Sequence, residues 1–293
     1  MPPRDLGLVA LVILAWGSNF TAMKLALEEL PPFLFVGLRF AILLPLLAVL
    51  KPPPVPWWKI LAVGALINMG QFAFLFAALK ADATAGLASL LLQVQAPLTI
   101  LFSVLLFGER ITARQVAGLS LALLGLAIFA VSAGGNVTGL GLGLILCGAL
   151  CWSLGNLVLK RLGRVNTLAL FVWASLVPPL PMLVLTTATE GAAPFTTLAA
   201  LSLRGWLSVI YVAAASTVLG YSLWGALLSR HPAAKVTPFA LLIPVVGIAV
   251  SGFVLGERPA PLDWLGAAVI LSGLALMQIR AGRQRMKAGR SGG

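Results

Sequence analysis

The stretch Trp16-Gly-Ser-Asn-Phe-Thr-Ala-Met-Lys24 closes the first apolar run of this chain, and 136 residues later Trp152-Ser-Leu-Gly-Asn-Leu-Val-Leu-Lys160 closes another. Each places an asparagine one helical turn from a tryptophan and ends on a lysine. Working outward, Pro45 matches Pro181 at the same offset. Further on, Phe107-Gly-Glu-Arg110 returns as Leu255-Gly-Glu-Arg258, and Gly118 and Gly125 return as Gly266 and Gly273, all at an offset of 148. The jump between offsets fits an insertion in the loop near 188–203. Matches at fixed spacing over this many special residues mark an internal repeat.

What is repeated is apolar. Of 293 residues, 60% are hydrophobic and 10% charged, with a mean hydropathy of +1.04, whereas soluble domains carry about 45–50% apolar and about 25% charged residues. So few charges cannot dress a water-soluble globule, and the composition is that of an integral membrane protein. Runs long enough to cross hydrocarbon lie near 6–24, 32–50, 59–79, 83–107, 113–131, 138–159, 167–187, 205–228, 234–256 and 262–279, since a spanning helix needs about 20 apolar residues. They lack the period-two alternation of barrel strands. Turn signals break them: Pro31-Pro32, the Pro-rich segment from Lys51 to Pro56, Gly134-Gly135-Asn136 and Arg230-His231-Pro232. The first run is not a cleaved signal peptide, because it lacks a small-residue cleavage site and contains Trp16, Asn19 and Lys24.

Charge sets the orientation. With the N-terminus inside, 15 Lys and Arg residues fall on the inner side and four on the outer, Lys24, Lys80, Arg204 and Arg258. This positive-inside bias predicts both termini in the cytosol. It also accounts for the net charge of +12 without a nucleic-acid partner, because the basic sites are dispersed. The tail at 281–293 reads as a basic cytosolic segment on anionic lipid. Each half holds five spans, an odd number, so the halves enter the membrane in opposite senses. The expected fold is therefore all-α, with ten transmembrane helices as two inverted five-helix repeats, 1–133 and 134–280. Such repeats build the alternating gates of many secondary transporters.

The stretches from Trp16 to Lys24, Gln71-Phe-Ala-Phe-Leu-Phe76 with Gly86-Leu-Ala-Ser-Leu90, and the paired Gly-Glu-Arg segments resemble the EamA-type branch of the drug/metabolite transporter superfamily. The resemblance covers about residues 6–279. It implies an inner-membrane exporter of amino acids or their relatives, such as aromatic amino acids, threonine, cysteine and O-acetylserine.

Polar residues inside spans are costly and point to function. The near-midplane set includes Asn19, Asn68, Gln71, Gln93, Gln95, Ser153, Asn156, Ser216, Thr217 and Tyr221. Each amide either bonds between helices or lines a cavity, because hydrocarbon offers no partner. Gln93 and Gln95 face Leu241 and Ile243 at the repeat offset. This asymmetry suits a substrate, whereas symmetric features serve scaffold and gates. Trp16, Trp152, Trp173 and Trp224 lie deep, while Trp57, Trp58, Trp206 and Trp264 sit at span ends as interfacial anchors. Deep indoles either pack helices or hold an ammonium by cation–π attraction, worth about 2 kcal/mol when desolvated. The expected substrate site is Trp16, Asn19, Gln71, Gln93, Gln95, Trp152, Asn156, Tyr221 and Trp224, with Pro97 and Pro244 as kinks beside it. Arg39, about 10 Å into the second span, is expected to snorkel to the outer face, with capture of a substrate carboxylate as the alternative.

Other chemistry has little material. Cys147 and Cys151 share a helix face without nearby His or acids, a poor zinc site, and no metal or cofactor is expected. One histidine and scattered carboxylates disfavour a membrane-embedded enzyme. A multidrug or other metabolite exporter is the alternative within transport, weakened by the lack of a buried carboxylate for lipophilic cations. No Asp, Glu or His stands at the midplane to carry a proton, so export is expected to be facilitated rather than proton-coupled. Nothing in the sequence fixes the oligomeric state, and a monomer is plausible.

Overall fold

In hydrocarbon a backbone must satisfy its own polar groups, and a helix does so within one segment. Every regular element among the described residues is helical. The computed structural model describes residues 1–81, 91–132, 138–163, 165–191, 193–256 and 260–278. Outside them lie Asp82, the 86–90 stretch, the Gly134-Gly135-Asn136 turn, Glu257 and Arg258, and the basic tail.

Seven helices are long and apolar enough to cross a membrane: α1 (Pro3–Leu27), α3 (Trp57–Leu79), α5 (Ala113–Ser132), α6 (Gly139–Leu162), α7 (Thr167–Glu190), α8 (Leu203–Arg230) and α9 (Ala233–Val254). Three shorter apolar helices complete the set, α2 (Pro32–Ala48), α4 (Leu92–Phe107) and α10 (Pro261–Met277). Each falls on one of the apolar runs read from the sequence. In α1, proline occupies the first turn, where its missing N–H costs nothing, Asp5 lies near the positive end of the dipole and Lys24 near the negative end. Large apolar side chains such as Phe253, 92% exposed, cover the outside.

The closest helix pairings are α5 with α10, α2 with α7, α1 with α8 and α9, and α6 with α3 and α4. Exchanging each helix for the one five places along leaves these pairings unchanged. Local irregularities are shared as well. Wide π-helical turns occupy Gly64–Gly70 in α3 and Val212–Tyr221 in α8, and tight 3₁₀ turns occupy Leu92–Val94 in α4 and Thr237–Leu242 in α9. Gly108 and Gly256 end α4 and the helix Ile243–Leu255 in the left-handed conformation, at φ 64° and 69°. That requirement explains why both Gly-Glu-Arg segments begin with glycine.

The glycines seven apart lie where α5 and α10 meet. A Cβ on Gly118 would stand 2.6 Å from the Gly273 carbonyl oxygen, and one on Gly125 would stand 2.7 Å from that of Gly266. Backbones of α5 and α10 thus approach closely, with the Met277 and Ile270 side chains packed against the same glycines. This pair leans on the rest of the bundle through a small apolar cluster of Ala96, Ala122, Leu126, Leu241, Ala267, Ile270 and Leu274. Gly273→Val is expected to destabilise the protein by about 1–3 kcal/mol through overpacking. Gly143→Val, on an α6 face with open space, should leave the thermal midpoint in detergent unchanged.

Candidate functional site

The repeated tryptophans meet at the centre of the bundle. Trp16 and Trp152 pack edge to face with centroids 5.5 Å apart, and Trp16 also packs on Tyr221 at 5.3 Å and on Trp224 at 5.1 Å. Beside them lies a cavity of about 40 Å³ whose wall includes Trp16, Asn19, Gln71, Gln93, Trp152 and Tyr221, with Phe72, Leu92, Ser216 and Ile243. The wall draws on both halves. Its volume accommodates about a water molecule, not an amino acid.

The π-helical turn of α8 positions the wall. The Trp16 Nε1–H donates to the Ser216 carbonyl at 3.0 Å, and Thr217 Oγ1 donates to the carbonyl of Val212 five residues back at 3.1 Å. A Cβ on Gly220 would lie 2.4 Å from Trp16 Nε1, so only glycine lets the indole reach that carbonyl. π turns recur at functional sites. The sequence reading missed this one. Gly220, four residues after Ser216, was the available signal.

Several polar atoms at the cavity have no protein partner. Gln71 Nε2 donates to the Tyr221 hydroxyl at 2.6 Å, but Gln71 Oε1 accepts nothing. Asn19 Nδ2 donates to the Met23 sulfur at 3.0 Å, while Asn19 Oδ1 is unpartnered. The indole N–H of Trp152 is also buried without an acceptor, although its repeat mate Trp16 has one. Leaving a buried donor or acceptor unsatisfied costs about 1–3 kcal/mol each.

Gln95, Asn156 and Trp224 lie one layer behind. Asn156 Nδ2 donates to Gln95 Oε1 at 3.2 Å and to Thr99 Oγ1 at 3.3 Å, and Trp224 Nε1–H donates to Asn156 Oδ1 at 3.0 Å. This network ties α4, α6 and α8 together, and none of the three residues lines the cavity. The structure therefore splits the nine expected site residues into six on the wall and three bracing it. Pro97 and Pro244 stand in the first turns of the helices that follow the 3₁₀ segments of α4 and α9. Leu92, Gln93 and Ile243, at those two junctions, reach the cavity.

Arg39 does not snorkel. It is fully buried, with Nε donating to Thr217 Oγ1 at 2.7 Å and one terminal nitrogen donating to Ser216 Oγ at 3.4 Å. Its Cζ lies 4.5 Å from the Phe72 ring centroid. The α8 hydroxyls and the aromatic faces draw it inward, where the lipid-facing route offers nothing.

The face of the bundle that carries the N-terminus is closed by charge. Lys160 Nζ pairs with Glu109 Oε1 at 2.6 Å and donates to the His231 carbonyl at 3.2 Å. Glu109 Oε2 accepts from the Ala233 N–H at 3.0 Å, and the His231 ring meets Asp5 at 2.6 Å. At the opposite face Glu28 pairs with Arg204 at 2.7 Å. There the Ser202 hydroxyl and backbone N–H hold the Glu29 carboxyl below its ordinary range. All described acids lie near helix ends or in loops. A larger depression of about 370 Å³ between α2 and α7 is lined by apolar residues such as Leu34, Leu38 and Leu183 and offers a solute no polar group.

Fold and site define an integral membrane protein with a polar, aromatic-lined centre shared between two similarly built halves. The EamA-like transporter family model matches residues 5–131 and again 139–279, and the chain belongs to that family. It is 38% identical to a protein of Salmonella typhimurium and 37% to one of Escherichia coli, each over 94% of both chains, and both are named "Probable amino-acid metabolite efflux pump". A crystal structure 21% identical in sequence superposes with a TM-score of 0.79 over 95% of this chain and 97% of that one, a likeness of fold alone. Family and names point to a transporter rather than an enzyme.

The two layers predict different phenotypes. Gln95→Leu removes a bracing acceptor and should lower the thermal midpoint, at about 1–3 kcal/mol, with little change in the KM of transported solute. Trp152→Phe keeps an aromatic face but removes the unpartnered donor and part of the indole, so it should raise KM severalfold with a smaller fall in thermal midpoint than Gln95→Leu. An equal effect of both on KM would show that the layers are not distinct.

Proposed function

We propose that the protein exports amino acids across the inner membrane, with a broad specificity that includes neutral and aromatic members. Transport proceeds by alternating access across ten spans, arranged as inverted repeats 1–133 and 134–280 with both termini cytosolic. The observation that carries this reading is the set of unpartnered donors and acceptors around the central cavity, Trp152 Nε1, Gln71 Oε1 and Asn19 Oδ1. A zwitterion supplies what they lack, an ammonium for the oxygens and a carboxylate for the indole N–H. The surrounding rings favour the ammonium and accept varied side chains, since an apolar pocket discriminates one methylene by only about 1–3 kcal/mol. The relatives' names support the substrate class, and the shared helix pairings support the repeat.

In alternating access the contacts closing one face open as those closing the other form. The Lys160–Glu109 pair with its His231 and Ala233 partners is the lock on the N-terminal face. Substrate entering from the cytosol must break it. Transport is facilitated, because the described acids sit near helix ends and, among the described residues, no carboxylate stands at the cavity to load a proton.

Counterflow in proteoliposomes tests the substrate. Labelled threonine, cysteine or phenylalanine should exchange against unlabelled amino acid, and an imposed pH gradient should not drive accumulation above equilibrium. Exchange of other metabolites with no amino acid would sink the assignment, and gradient-dependent accumulation would reveal a proton site. Topology is tested by single cysteines at Pro54 and Gly135. Impermeant reagent should label Gly135→Cys from the periplasm and spare Pro54→Cys, and the reverse pattern would invert the orientation.

A further inference from the structure

Arg39 is a permanent charge held among neutral groups. Among the described residues no carboxylate pairs with it, and one of its terminal nitrogens, Nη1, is buried without any hydrogen-bond partner. Burying a charge unneutralised is costly, and intramembrane cations ordinarily pair with an acid or serve a substrate. Thr217, Ser216, the Tyr221 hydroxyl and the Phe72 face offset part of the cost, yet none is a carboxylate.

Two further observations give the charge a direction. Phe72 and Ser216, which touch the guanidinium, also line the central cavity. Arg39 therefore stands directly behind the cavity wall. The second is asymmetry. At the offset of 136 the mate of Arg39 is Ser175, whose hydroxyl only donates to the Phe171 carbonyl one turn back. A charge required by the scaffold would be expected in both halves; a charge serving one end of an oriented solute is needed once.

We propose that Arg39 is the carboxylate anchor of the transported amino acid, a specificity-determining residue that acts together with the Trp152 N–H. This rests on the amino-acid reading above and deepens it. When the cavity widens, the Ser216 hydroxyl, held at 3.4 Å, gives up the guanidinium to the carboxylate, and Thr217 keeps Nε oriented. Carboxylate and guanidinium then form a charge-assisted pair, short and directional, which neutralises the buried cation. The ammonium points the other way, toward Gln71 Oε1 and Asn19 Oδ1.

The experiment compares L-threonine and L-phenylalanine with their carboxamides as counter-substrates for the full chain in proteoliposomes. Wild-type protein should prefer each acid to its amide by at least about tenfold, the worth of one charged hydrogen bond. Arg39→Gln should raise KM for the acids by a similar factor, leave the amides nearly unaffected and so erase the preference. Arg39→Lys should restore part of it. No acid–amide preference in the wild type, or a parallel loss for acids and amides in Arg39→Gln, would overturn the proposal in favour of a purely structural arginine. Should Arg39→Gln fail to fold, the wild-type preference and its partial retention in Arg39→Lys decide. Absence of any amino-acid exchange by the wild type would instead strike the amino-acid reading itself.

Discussion

Hydrocarbon accepts no hydrogen bond, and the rest of this structure follows from that constraint. With one residue in ten charged, the outside of the bundle is left to side chains such as Phe253 and Val131, and polar groups are driven either to the two faces or to the centre. At the faces they pair as ions. At the centre they are mostly amides, hydroxyls and indoles, which satisfy one another incompletely. Three of the unpartnered atoms, on Asn19, Gln71 and Trp152, belong to residues of one cavity wall drawn from both halves.

Centre and periphery solve different packing problems. The α5–α10 pair has no polar work and is held by backbone contact at Gly118, Gly125, Gly266 and Gly273. The inner helices cannot pack so tightly, because they must surround large rings and polar atoms. They widen instead, through π turns in α3 and α8, and break, through 3₁₀ turns in α4 and α9. These four irregular helices supply Gln71, Gln93, Ser216, Tyr221 and Ile243 to the cavity wall. Irregular backbone is tolerated at membrane depth where neighbouring protein receives its loosened polar groups, as the Trp16 indole does for the Ser216 carbonyl.

The apolar runs were legible in the sequence because spanning length is a coarse, additive property, and the glycines of α5 and α10 stood out there as a repeat at a fixed offset. The polar set of the site was legible for a related reason: an amide in hydrocarbon announces itself. Its layering was not. Gln93 and Gln95 are two residues apart and so point to different sides of the helix, but which side meets the cavity and which meets Asn156 is set by the packing of α4 against α6. Arg39 was misjudged for lack of the same information. Snorkelling is the favoured fate of an arginine at that depth when its face meets lipid, and only the tertiary placement of Thr217 and Phe72 turns it inward.

That inward turn bears on how one site can serve two gates. The cavity is smaller than an amino acid, while the Lys160–Glu109 pair with its Ala233 and His231 partners joins ends from both halves. On the proposed alternating access, opening toward that face would separate these ends, and a bound solute would offset the cost by completing bonds at the centre. On that reading a solute at the centre would meet the unpartnered atoms of Trp152, Gln71, Asn19 and Arg39. By satisfying them it would lower the form that encloses it selectively and favour passage between two open states. The incomplete centre thus supplies selectivity and coupling of binding to movement through one physical cause, since a ligand shifts a conformational equilibrium only by its differential affinity for the states.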